Sequence, residues 1–145
     1  MKENYVILKE TYNNNSYEII INTHLGTFRG YTETDEIDIN YPSKYHASEI
    51  ALAKALRKFA EAAVSALKRE INILESLMKQ SIDAAENTCD IDNTSFRLIN
   101  GMLKQKQKEL KKWENRVEGL SHSIKTRITE RDKLVANYIK KDKNK

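Results

Sequence analysis

Two long stretches of this chain repeat apolar residues three and four positions apart, and this spacing constrains the fold more than any other feature. The stretches cover about residues 44–85 and 95–140, and each contains apolar stripes of the kind that pack along a partner helix. Only one proline and four glycines occur among 145 residues, so little in the sequence interrupts a helix. The spacing therefore predicts two long helices, which the polar loop 86–94 joins into an antiparallel hairpin.

The N-terminal residues 1–42 favour strands rather than helices. Segments 5–8 and 17–21 are rich in β-branched and aromatic residues, and the asparagines at 13–15 between them are a strong turn signal. In segment 26–32 the side chains alternate in polarity well enough to predict a third strand. We therefore expect an α+β fold in a single domain, with a small antiparallel β-meander before the helical hairpin.

Charge, cysteine usage and hydropathy exclude several classes of function. The net charge is only +4, and much of it comes from the basic C-terminal tail that includes 141–145, so DNA is not an expected partner. Cys89 is the single cysteine and cannot form an internal disulfide, which favours a reducing cytoplasm. No segment is apolar and long enough to cross a bilayer, and the N-terminus does not read as a signal peptide, so no membrane partner is expected.

Signatures of catalysis are missing from the sequence. It contains no glycine-rich phosphate loop, no paired cysteines and no HExxH motif. The three histidines, His24, His46 and His122, lie in different predicted elements and lack the spacing of metal ligands. We expect the protein not to be an enzyme and to use neither a cofactor nor a metal.

Two arginines lie on the apolar stripe of the second helix and are the strongest candidates for a binding site. The stripe that contains Leu120 and Ile124 continues through Arg127 and Arg131. A guanidinium on a buried face needs a carboxylate, water or an anionic ligand. Two of them one turn apart suit a phosphate. The alternative is that the stripe drifts to Ile128, that Arg127 turns outward, and that both arginines are solvated or salt-bridged.

Arg57 falls on an otherwise apolar stripe of the first helix. In an antiparallel hairpin it lies at the same end as the arginine pair of the second helix, close to the strand that contains Phe28 and Arg29. Such a cluster of cations without enough carboxylates requires a bound anion. The alternative is that Arg57 packs its stem on the apolar surface and extends its charge into water.

The first turns of the second helix form another candidate site. A helix N-terminus presents free N–H groups and a positive dipole end to a phosphate. Phe96 would stack on a base, Arg97 would bind a phosphate and Asn100 would read a base edge. The alternative is that Phe96 simply begins the apolar stripe.

In the order of its predicted elements, a small sheet followed by two long helices, the chain resembles the first family of phage Thoeris anti-defence proteins. These proteins sequester cyclic ADP-ribose-type signals. The resemblance rests on the small N-terminal sheet, on segment 43–51 (SKYHASEIA) leading into the first helix, and on segment 127–132 (RITERD) at the end of the second. It implies a non-enzymatic protein in the cytoplasm of an infected or lysogenic bacterial host. It also implies that a glycocyclic ADP-ribose isomer binds between the subunits of an oligomer, which is a hexamer in this family.

The same resemblance implies a separate arginine-lined site for cyclic oligonucleotides. The pair Arg127 and Arg131 resembles that second site, whereas Phe96 and Arg97 suit the site for the cyclic ADP-ribose-type signal.

The apolar surface exceeds what a hairpin and a small sheet can bury by themselves. A second stripe of the first helix, together with Trp113 of the second, indicates a homo-oligomer. An alternative function is that of a coiled-coil phage protein that inhibits a host defence protein by direct binding. Its docking surface would be the exposed helical stripe and the acidic segment 35–38. A third is a structural assembly factor.

Overall fold

A three-stranded antiparallel sheet precedes two long helices, which confirms the predicted α+β class and the helical hairpin. The computed structural model describes residues 4–13, 16–33, 43–88 and 93–143. Self-association remains a prediction. The elements are β1 (Val6–Asn13), β2 (Ser16–Thr23), β3 (Gly26–Glu33), α1 (Ser43–Thr88) and α2 (Asn93–Lys143).

Both helices are slightly longer than the predicted ranges 44–85 and 95–140, and α2 continues into the predicted basic tail. The reason is that the polar residues at these ends are not helix breakers. None of the helices in the described ranges is both long and apolar enough to cross a membrane. The acidic segment 35–38 and Cys89 lie outside the described residues, as do the central asparagines of the first predicted turn.

The sheet is a meander with strand order β1-β2-β3. Thr23 faces Gly26 across the β2–β3 turn, where its hydroxyl donates to the carbonyl of Gly26 (2.9 Å) and accepts from the N–H of Leu25 (3.2 Å). Gly26 has a φ of 122°, a conformation that other residues rarely adopt. Between Ile7 and Lys9 the pairing of β1 with β2 shifts register, which bends this edge strand.

The residues of the chain group into two compact units, each of which contains parts of both helices. Unit 1 comprises Met1–Ala60 and Arg116–Lys145, and unit 2 comprises Glu61–Asn115. The sheet belongs entirely to unit 1.

In unit 1 the sheet approaches the backbone of α1 very closely. Ala47, Ala51 and Ala55 are fully buried, and their small side chains leave room for a strand. Gly30 of β3 faces this stretch, and a Cβ on it would overlap the carbonyl oxygen of Ala51 and lie 2.9 Å from the nitrogen of Ala55. Only glycine fits at this position, because the contact is with backbone rather than with a flexible side chain.

Larger side chains complete the core of unit 1. The ring of Phe59 is buried and lies 5.8 Å from that of Phe28 and 5.5 Å from that of His24, between ring centroids. Leu120 and Ile124 of α2 are also buried, as their place on the predicted stripe requires.

In unit 2 only one of the two apolar stripes of α1 is buried. Leu67, Ile71 and Leu74 are buried, and Glu70 forms an ion pair with Lys106 of α2 at 3.0 Å. The second stripe is exposed at Ile73 and Leu77, since nothing in the described part of unit 2 packs on it.

Replacing Gly30 with alanine should lower the free energy of unfolding by about 3 kcal/mol, because the new methyl group would force β3 away from α1. Urea denaturation followed by circular dichroism measures the change. Gly119→Ala is the matched control. Gly119 lies in the middle of α2, and a Cβ added there would meet nothing within 4 Å. This substitution should therefore stabilise the protein by about 0.5 to 1 kcal/mol. A Gly30→Ala protein as stable as the parent would contradict the close approach.

Candidate functional site

Basic side chains close the outer edge of β3. In an edge strand, every second backbone carbonyl faces away from the neighbouring strand and needs another hydrogen-bond donor. The Lys58 amine donates to the carbonyl of Arg29 (2.9 Å), and the Lys54 amine donates to that of Tyr31 (3.2 Å). The Arg131 guanidinium from α2 donates to the carbonyl of Glu33 (3.1 Å). These three contacts join both helices to the same edge of the sheet.

The three acceptors are neutral carbonyls, so these hydrogen bonds do not cancel the charges of Lys54, Lys58 and Arg131. The pKa of Lys54 reports the consequence. Burial lowers it from 10.5, and the positive charges of Arg57 and Arg131 lower it further, while the Glu33 carboxylate raises it. Lys58 also contributes to the lowering. We name Lys54, Arg57, Lys58 and Arg131 the cationic cluster.

Arg127, which the sequence placed beside Arg131 as a joint anion ligand, forms an ion pair with Glu49 of α1. Its Nε also donates to the hydroxyl of Ser123 at 3.2 Å. The charge of Arg127 is therefore matched within unit 1. Arg131 forms a longer ion pair, at 3.9 Å, with the largely exposed carboxylate of Asp132.

The remaining candidate residues of unit 1, which are Arg57, Arg29 and Phe28, differ in their surroundings. Arg57 is half-buried on α1 and acts electrostatically on Lys54 together with Arg131, which is the convergence expected from the antiparallel helices. The Arg29 side chain is exposed and pairs with Glu18 at 3.4 Å. Phe28 is half-buried, and its ring contacts that of Phe59.

Phe96, Arg97 and Asn100 belong to unit 2 and lie in the first turns of α2. Phe96 and Arg97 are exposed and Asn100 is half-buried, so a ligand in solution can reach the first two. Their predicted roles in binding a base and a phosphate stay predictions.

Sequence reasoning missed Lys54 and Lys58. A signal was available, since Lys54, Arg57 and Lys58 are three and four residues apart and therefore share a face of α1. It was not distinctive, because lysines on a helix are usually solvated. Glu49 as the partner of Arg127 had no local signal at all.

In the ranges that the structure covers, no three His, Cys, Asp or Glu side chains lie close enough to hold a metal ion. No protein-family model, curated protein or solved structure matches this chain.

Replacing Arg131 with methionine should raise the pKa of Lys54, because it removes a nearby positive charge. Glu33→Gln should lower the pKa of Lys54 further, since it removes the opposing carboxylate. An NMR titration of the Lys54 Cε resonance measures both changes. Lys112→Met, at an exposed position of unit 2, is the control that should leave this pKa unchanged. Identical titration in all three variants would show that the cluster does not act on Lys54.

Proposed function

We propose that this protein binds and sequesters a cyclic ADP-ribose-type nucleotide signal without cleaving it. In a bacterial host this would withhold the signal from the Thoeris immune effector and so act as an anti-defence function. The observation that carries the proposal is the cationic cluster, in which Lys54, Lys58 and Arg131 converge on one strand edge and donate to its neutral carbonyls.

The charge balance of the cluster supports an anionic ligand. Concentrating positive charge costs free energy, and burial together with the charges of Arg57 and Arg131 lowers the pKa of Lys54. An anion that joins the cluster relieves this repulsion and accepts charge-assisted hydrogen bonds, which are about twice as strong as neutral ones. A diphosphate offers several oxygens to several donors at once. Arg127 contributes less, because Glu49 already neutralises it.

Phe96 and Arg97 of unit 2 form a separate candidate site for such a nucleotide. An exposed aromatic face suits adenine, and a guanidinium beside it suits a phosphate. The resemblance to the Thoeris anti-defence family supports the choice of a cyclic ADP-ribose-type ligand over a simple phosphate. It also supports a homo-oligomer, in which different copies can contribute to one pocket.

Isothermal titration of the full chain with cyclic ADP-ribose and its glycocyclic isomers tests the proposal. We expect tight binding of at least one isomer, and chromatography of the heat-released ligand should recover it unchanged. Removing one cation, by Lys54→Met or Arg131→Met, should weaken binding between about tenfold and about a hundredfold. Lys112→Met is the control and should bind like the parent. A folded protein that binds none of these nucleotides would contradict the proposal.

The affinity should also depend on pH through Lys54. Its pKa in the free protein lies below 10.5, and only the protonated amine attracts a phosphate, so binding should weaken as the pH rises through that pKa. Lys54→Arg keeps its charge at alkaline pH and should abolish this part of the pH dependence. Titrations at increasing pH compare the two proteins. An equal pH dependence in both would exclude Lys54 from the binding site.

A second candidate function is inhibition of a host defence protein by direct binding. The exposed apolar residues of unit 2 favour it, among them Ile73, Leu98 and Met102. Capture of a folded host protein by a variant that lacks nucleotide binding would support this alternative.

A further inference from the structure

One face of α1 in unit 2 is apolar, exposed and grooved. The side chains of Ile73 and Leu77 are 61% and 44% exposed. They line a groove of about 360 Å³ together with Asn72, Ser76 and Gln80. Isolated apolar residues on a surface are ordinary, but a grooved stripe with a polar margin is typical of an interface.

The stripe is the continuation of one that is buried elsewhere on the same helix. Leu56 and Phe59 belong to it at helical spacing, and in unit 1 both are buried, Phe59 against the ring of Phe28. Further along α1 the same stripe reaches Ile73 and Leu77 without a cover. The sequence therefore maintains an apolar face beyond the part that the sheet packs against.

The polar margin of the groove is complementary to itself. In the sequence, Ser76 is four residues from both Asn72 and Gln80, and seven residues from both Arg69 and Asp83. All five lie on one side of the stripe, since successive residues of an α-helix are about 100° apart. Arg69 and Asp83 are both exposed and carry opposite charges.

We propose that two copies of this chain pair antiparallel along this face of α1, with Ser76 at the two-fold axis. Arg69 then faces Asp83 of the second copy, Asp83 faces Arg69 of the second copy, and Asn72 faces Gln80 likewise. The apolar pair Ile73 and Leu77 lies beside this row and is covered by its symmetry equivalents. A two-fold interface requires a surface that complements itself, and this row of residues is such a surface. Binding to a different protein would not require self-complementarity.

Reversal of the two charges tests the pairing directly. Arg69→Asp alone and Asp83→Arg alone each place like charges opposite one another, and each should lower the molar mass measured by sedimentation equilibrium. The double variant Arg69→Asp/Asp83→Arg restores opposite charges and should recover the parent mass. Lys68→Glu changes the charge at an exposed neighbour off this face and is the matched control. Circular dichroism confirms that each variant is folded.

A cysteine at the axis provides a second, independent measurement. In a Cys89→Ser background, Ser76→Cys should form a disulfide-linked dimer on mild oxidation, because the two copies bring this position close to itself. Glu75→Cys, about 100° around the helix from Ser76 and on the side away from Ile73 and Leu77, should link far less. A monomeric parent, single charge variants with the parent mass, a double variant that fails to recover, or equal linkage at both cysteines would each overturn the pairing. These readouts do not involve nucleotide, so they succeed or fail independently of the proposed function.

Discussion

The structure depends on the way in which α1 and α2 close the exposed edge of β3. A strand edge with unpaired carbonyls invites pairing with other chains. Lys54, Lys58 and Arg131 satisfy three of these carbonyls from two different helices. Within the described residues, side chains rather than a further strand satisfy this edge, and their positive charges are held together at the surface of unit 1.

This arrangement requires the sheet to lie close to α1, since a lysine amine reaches a strand edge only if the backbones are near. Gly30 and the buried alanines of α1 make that approach possible. Packing and electrostatics are therefore linked: the small residues bring β3 to the helix, and the lysines next to them then reach its carbonyls. The opposite edge, β1, has a register shift and the charged residue Lys9, which are common means of protecting an edge strand.

The two units use the same helices for different purposes. In unit 1 the second stripe of α1 packs against the sheet, and charged residues beside it form the cationic cluster. In unit 2 the stripe continues without the sheet, so apolar surface at Ile73 and Leu77 meets water. The concentrated positive charge of unit 1 is the basis for proposing an anionic ligand, and the exposed apolar surface of unit 2 is the basis for proposing a second copy as partner.

The sequence alone determined the architecture. Apolar spacing predicts the helices, and β-branched segments with asparagine or glycine turns predict the meander, because both signals arise from local geometry. It also identified Arg57 and Arg131 as cations on otherwise apolar stripes. Only the tertiary structure decided what each charge contacts. Arg127 pairs with Glu49, whereas Arg131 and two lysines pair with neutral carbonyls, and these contacts join residues far apart in the chain. No local pattern encodes such pairings, because they depend on how closely the sheet and the helices approach one another.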